Sequence, residues 1–71
     1  MEIQEARAKL TKVAPGTFRT ISQEIIDYED GTEETEYTVY VKGFSHYKSD
    51  SLQKVMDKMK KVIERRKNAE S

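Results

Sequence analysis

The chain has 71 residues, 35% of them hydrophobic and 37% charged, with 13 acidic and 13 basic side chains and no cysteine. That length allows one small domain with a modest core, and the lack of cysteine excludes disulfides and thiolate metal centres and favours a cytoplasmic setting. A formal net charge of zero means that bulk charge selects no class of partner. No apolar run reaches the length of a membrane span, and the opening MEIQEARAKL carries acids where a signal peptide needs an apolar stretch.

The first element predicted is a helix over residues 2–13, where Ile3, Ala6, Leu10 and Val13 form a narrow apolar stripe. Pro15 disfavours helical backbone at Ala14, and Gly16 follows, so the helix ends near Val13.

Residues 17–43 read as one long β-hairpin around Asp30-Gly31. Two registers compete. A two-residue loop pairs Ile21 with Tyr40 and splits the apolar side chains between the faces. A three-residue loop, Glu29-Asp30-Gly31, pairs Tyr28 with Thr32 and Ile21 with Val39. It gathers Ile21, Ile25, Tyr37, Val39 and Val41 on one face. A slip of one residue reverses every side chain, so burial selects the second register. Its loop is a type I turn with Gly31 in a left-handed bulge position. The outer face then holds Phe18, Thr20, Ser22, Glu24, Ile26, Tyr28, Thr38, Tyr40 and Lys42. Residues 44–48, after Gly43, read either as a loop or as a short extension of the strand.

The last element is a helix over residues 50–67. Asp50 is the expected N-cap, with Gln53 completing a capping box. Leu52, Val55, Met56, Met59, Val62 and Ile63 form an apolar stripe wide enough to cover the inner face of the hairpin. The two methionines read as packing, and the tail from Arg66 is expected to fray. The fold class is therefore α+β, in the order α-β-β-α, as a single domain over residues 1–71.

Charge is segregated along this scaffold. Asp27, Glu29, Asp30, Glu33, Glu34 and Glu36 gather at the hairpin tip, while Lys54, Lys58, Lys61 and Arg65 form one stripe on the last helix. The tip, with Tyr28 and Tyr40, is the candidate surface for a protein partner, because carboxylates on a rigid arm can dock on basic surface. Acids on a hairpin also keep it from pairing edge to edge, which is their plainer role. The basic stripe is the alternative site, for nucleic acid; it lacks a Gly-rich loop and an aromatic platform on the same helix, and a solvated helix face is its plainer role. Phe18, Ile26 and Tyr40 make the outer face too apolar for water alone. A two-stranded sheet covered on one side is also marginal, so this face is expected to pack on a second copy in a homodimer, with the first helix or a foreign protein as the alternatives.

Nothing in the chain carries catalysis. His46, the only histidine, has no ligand-spaced Cys, Asp or Glu beside it and no nucleophile motif in Ser45, Ser49 or Ser51. The tip also lacks the alternating carboxylates and glycine of a calcium loop. No enzyme activity, metal, cofactor or small-molecule substrate is expected.

The coarse order of helix, strands and helix is similar to that of double-stranded-RNA-binding domains. Those domains add a third strand and open their last helix with a lysine cluster, where this chain reads SDSLQK. Ribbon-helix-helix repressors place their strand ahead of two helices, a different order. In size, charge density and lack of cysteine the chain resembles many small proteins of phages and mobile elements, which is a likeness of type and assigns no family. The reading that follows is a non-catalytic binding protein, acting through the acidic, aromatic hairpin as an accessory or inhibitor.

Overall fold

The computed structural model describes residues 1–70, with the backbone alone at Glu70. Its elements are α1 (Ile3–Val13), β1 (Arg19–Asp27), β2 (Glu33–Val41), β3 (Tyr47–Ser49) and α2 (Leu52–Glu70). The strands form one antiparallel sheet in the order β1-β2-β3. The α+β class and the helix–hairpin–helix order are as the sequence predicts, with a third strand added.

The hairpin adopts the three-residue loop. Ile21 pairs with Val39 and Asp27 with Glu33. Tyr28 N–H donates to the Thr32 oxygen at 2.9 Å, and Gly31 N–H donates to the Tyr28 oxygen at 3.0 Å. Gly31 has φ of 89°, a conformation in which a Cβ would be strained.

Both helices lie on the inner face. Ala6, Leu10 and Ala14 share one buried cluster with Val39, Val41, Leu52, Val55, Met56, Met59 and Ile63. The helical stripes and the odd-numbered strand positions thus meet in a single core, and α1 leaves the outer face open. Coverage along the inner face is uneven. Val39 and Val41 are buried and Ile21 and Tyr37 half-buried, but Ile25 is 61% exposed. The hairpin outruns the helices, and the molecule measures 51 × 21 × 18 Å.

Three points settle or change the sequence reading. Residues 44–46 are irregular loop, β3 begins at Tyr47, and its pairing of Val39 with Tyr47 and Tyr37 with Ser49 makes β2 the central strand. The cap of α2 is Ser51, not Asp50. Its Oγ accepts from Lys54 N–H at 3.4 Å, and its carbonyl oxygen accepts from Val55 N–H at 3.2 Å. Asp50 instead accepts from Ser49 Oγ at 3.3 Å, and Gln53 reaches forward to Asp57 at 2.9 Å. Extension of β3 to Ser49 moves the start of the helix to Leu52, one residue beyond what an Asp50 cap requires. We expect Ser51→Ala to cost about 1 kcal/mol in urea unfolding and Asp50→Ala only a few tenths.

The third point concerns the end of α2, which stays helical to Glu70; Ser71 lies outside the described residues. Arg66 Nη1 donates to the Gly43 oxygen at 2.6 Å, and its guanidinium lies 3.8 Å from the centre of the Phe44 ring. Lys67 Nζ donates to the Val13 oxygen at 2.9 Å. These contacts tie the last turns, where fraying would otherwise begin, to the end of α1 and to the β2–β3 connection.

Candidate functional site

The hairpin tip concentrates negative charge by its register. Asp27 stands directly opposite Glu33, and Glu24 directly opposite Glu36. Like charges facing each other across an antiparallel pair are destabilising. Glu29, Asp30, Glu33 and Glu34 are exposed and Glu36 is half-buried. Among the described residues, the hairpin acids make one ion pair, Glu36 to Lys48 at 3.6 Å.

The loop itself is well held. The Asp30 carboxylate accepts from the Thr32 hydroxyl at 2.7 Å and from Thr32 N–H at 3.0 Å. Those two bonds, the hydroxyl first, hold the Asp30 carboxyl below its ordinary range, so it stays ionised. Tyr28 Oη donates to Glu34 Oε2 at 3.2 Å. That bond, and then the charge of Glu34, hold the phenol above its ordinary value and therefore protonated. Hydrogen bonds thus hold two of the tip's carboxylates, Asp30 and Glu34, in place.

The outer face carries an aromatic row that the two-strand reading of the sequence could not contain. Phe18 meets the Tyr40 ring edge-on, with centroids 6.3 Å apart, and is 62% exposed. Tyr40 stacks on His46 with centroids 4.1 Å apart and planes 11° apart. His46 comes within reach because β3 pairs Tyr47 with Val39, which puts its neighbour His46 next to Tyr40 on the other face. The alternation from His46 through Tyr47 to Lys48 was the available signal, but three residues are too few to separate strand from loop. Ile26 is half-buried on the same face and Tyr28 is 47% exposed.

The basic stripe is solvent-facing: Lys54, Lys58, Lys61 and Arg65 are all exposed. Lys58 Nζ lies 5.6 Å from the centre of the Tyr47 ring, a cation–π contact that ties it to the sheet's inner face. The row of Phe18, Tyr40 and His46 stands on the outer face, so the stripe and the aromatic row are not one surface. In addition, Tyr40 and His46 turn ring faces toward each other, and bases stack on ring faces.

Among the described residues, no three His, Cys, Asp or Glu side chains group so as to hold a metal ion, and no helix is long and apolar enough to cross a membrane. The third strand removes one of the two differences from a double-stranded-RNA-binding domain; the other, Ser49-Asp50-Ser51 in place of a lysine cluster, stands. No protein-family model matches the chain, and no curated protein or solved structure matches it.

Proposed function

We propose that the chain is a non-catalytic binding protein whose β1–β2 arm docks on a basic surface of another protein. The observation that carries this is the doubled opposition of carboxylates, Asp27 to Glu33 and Glu24 to Glu36, with Lys48 as the one cation paired to the arm among the described residues. An arm that needed only to stay soluble would gain from mixing its signs. Here the folded hairpin carries repulsion that a cationic partner relieves, and such a field also raises the rate of encounter. Phe18, Tyr28 and Tyr40 supply apolar area beside it, of the kind that anchors interfaces. An accessory or inhibitory protein of a phage or mobile element fits this reading in size and charge density.

The test is an NMR titration of the labelled chain with an arginine- and lysine-rich peptide, and separately with single-stranded and duplex oligonucleotides, at low and moderate salt. The basic peptide should shift the amides of Glu29, Asp30, Glu33, Glu34 and Glu36, and Glu33→Lys with Glu34→Lys should abolish the effect. If the oligonucleotides instead shift Lys54, Lys58, Lys61 and Arg65, with a steep loss on adding salt, the nucleic-acid reading replaces this one.

A further inference from the structure

β1 is an edge strand nine residues long, and it contains neither proline nor lysine, two common guards against pairing with another chain. Its ladder is anchored at both ends by even-numbered residues: Lys42 N–H donates to the Phe18 oxygen and Tyr28 N–H to the Thr32 oxygen, each at 2.9 Å. Backbone groups alternate in direction along an antiparallel strand. Those of Arg19, Ile21, Gln23, Ile25 and Asp27 therefore point to the open edge. Three of the large hydrophobic side chains left exposed, Phe18, Ile25 and Tyr28, lie on this strand or next to its ends.

We infer that β1 pairs with β1 of a second copy, antiparallel, about a two-fold axis through Gln23, giving a continuous six-stranded sheet. The sequence is complementary to itself about that point. On the core face, Ile21 lies opposite Ile25 of the second copy and Arg19 opposite Asp27 of the second copy. On the outer face, Phe18 meets Tyr28 and Thr20 meets Ile26. No like charges face each other, and all the odd-numbered residues fall in hydrogen-bonded pairs, exchanging on the order of ten hydrogen bonds. Moving the axis one residue either way sets Ile21 against Gln23 and Arg19 against Ile25, or Ile21 against Asp27; each buries a mismatch.

Tertiary structure supplies a place for what this pairing delivers. A groove of about 240 Å³ runs between α1 and β1, lined by Ile3, Arg7, Leu10, Thr11, Arg19 and Ile21. Ile25 of the second copy arrives beside Ile21 at this groove, and Asp27 of the second copy arrives beside Arg19, with Arg7 as a second cation. The axis is perpendicular to the sheet, so all four helices lie on one side. The Tyr40–His46 pair and the acidic loops stay open, while Phe18, Tyr28 and Asp27 are shared with the partner surface proposed above.

The test is solution mass by sedimentation equilibrium, from micromolar to millimolar chain, on wild type and three variants. Wild type should reach twice the 8.3 kDa chain mass. Gln23→Pro should weaken association about a hundredfold, with circular dichroism unchanged, because its N–H faces the open edge and not β2. Asp27→Arg should weaken association by setting two arginines together, while raising the stability of the single chain by removing the Asp27–Glu33 repulsion. That opposite pair of effects cannot come from misfolding. Tyr40→Glu should leave the mass unchanged. A wild type that stays monomeric throughout, or a dimer broken by Tyr40→Glu and not by Gln23→Pro, overturns the edge pairing; the second result would assign the dimer to the outer face.

Discussion

Val39→Glu should leave no folded protein, whereas the same change one residue later, Tyr40→Glu, should leave the fold standing. Val39 is fully buried on the central strand, with Ile21 opposite it on one side and Tyr47 on the other. No buried cation awaits a carboxylate there, since none of the buried residues among those described is polar or charged. The glutamate must either desolvate its charge or take up a proton, at a cost of several kcal/mol. A domain of this length has a total stability of only about 4–10 kcal/mol. Tyr40 faces the other way. Its loss removes the contacts with Phe18 and His46, worth about 1–2 kcal/mol together, and the new carboxylate remains in water. Far-UV circular dichroism with urea unfolding decides it. A cooperative transition for Val39→Glu would mean that α2 does not cover the sheet as described.

Met59→Ala should destabilise by about 2–5 kcal/mol, the usual range for truncating a buried methionine, and lower the melting temperature by about 10–40 °C. Met59 is fully buried midway along α2, in the cluster where both helices meet Val39 and Val41, so a cavity there has little freedom to collapse. Ile25→Ala is the informative comparison. Ile25 has the same strand parity as the core residues Ile21 and Val39, yet in dilute protein its truncation should change stability by no more than about 0.5 kcal/mol. Thermal unfolding of both variants at low concentration measures how far the helices reach. A large loss from Ile25→Ala would show that the end of the hairpin is covered within one chain.

Much of the acidic tip was legible in advance. It depends on one loop, and the choice between two- and three-residue loops follows from which face must be apolar. The aromatic row was not legible as a site, because it needs β3 to carry His46 to Tyr40. A strand of three residues has no periodicity of its own and exists here only because β2 offers it an edge. The Ser51 cap was missed for a related reason: Asp50 and Ser51 are both good capping residues, and the end of β3 decides which one stands at the helix start. Fraying was expected from Arg66 onward because nothing local holds the tail, whereas carbonyl oxygens brought near by the fold engage Arg66 and Lys67.

The residues by themselves determined what repeats locally: the stripes of α1 and α2, the parity of the hairpin faces, the register that parity imposes, and the opposition of carboxylates that the register entails. Backbone geometry links side-chain direction to sequence spacing, so these follow from neighbours a few positions apart. Tertiary structure decided which elements meet. Both helices went to the inner face because Leu10 and Met59 could bury against Val39 and Val41 only there. The helices covered the base of the hairpin and stopped short of Ile25, leaving the outer face and the far half of β1 open. Where coverage ends depends on the relative lengths and placement of distant segments, which no local spacing records.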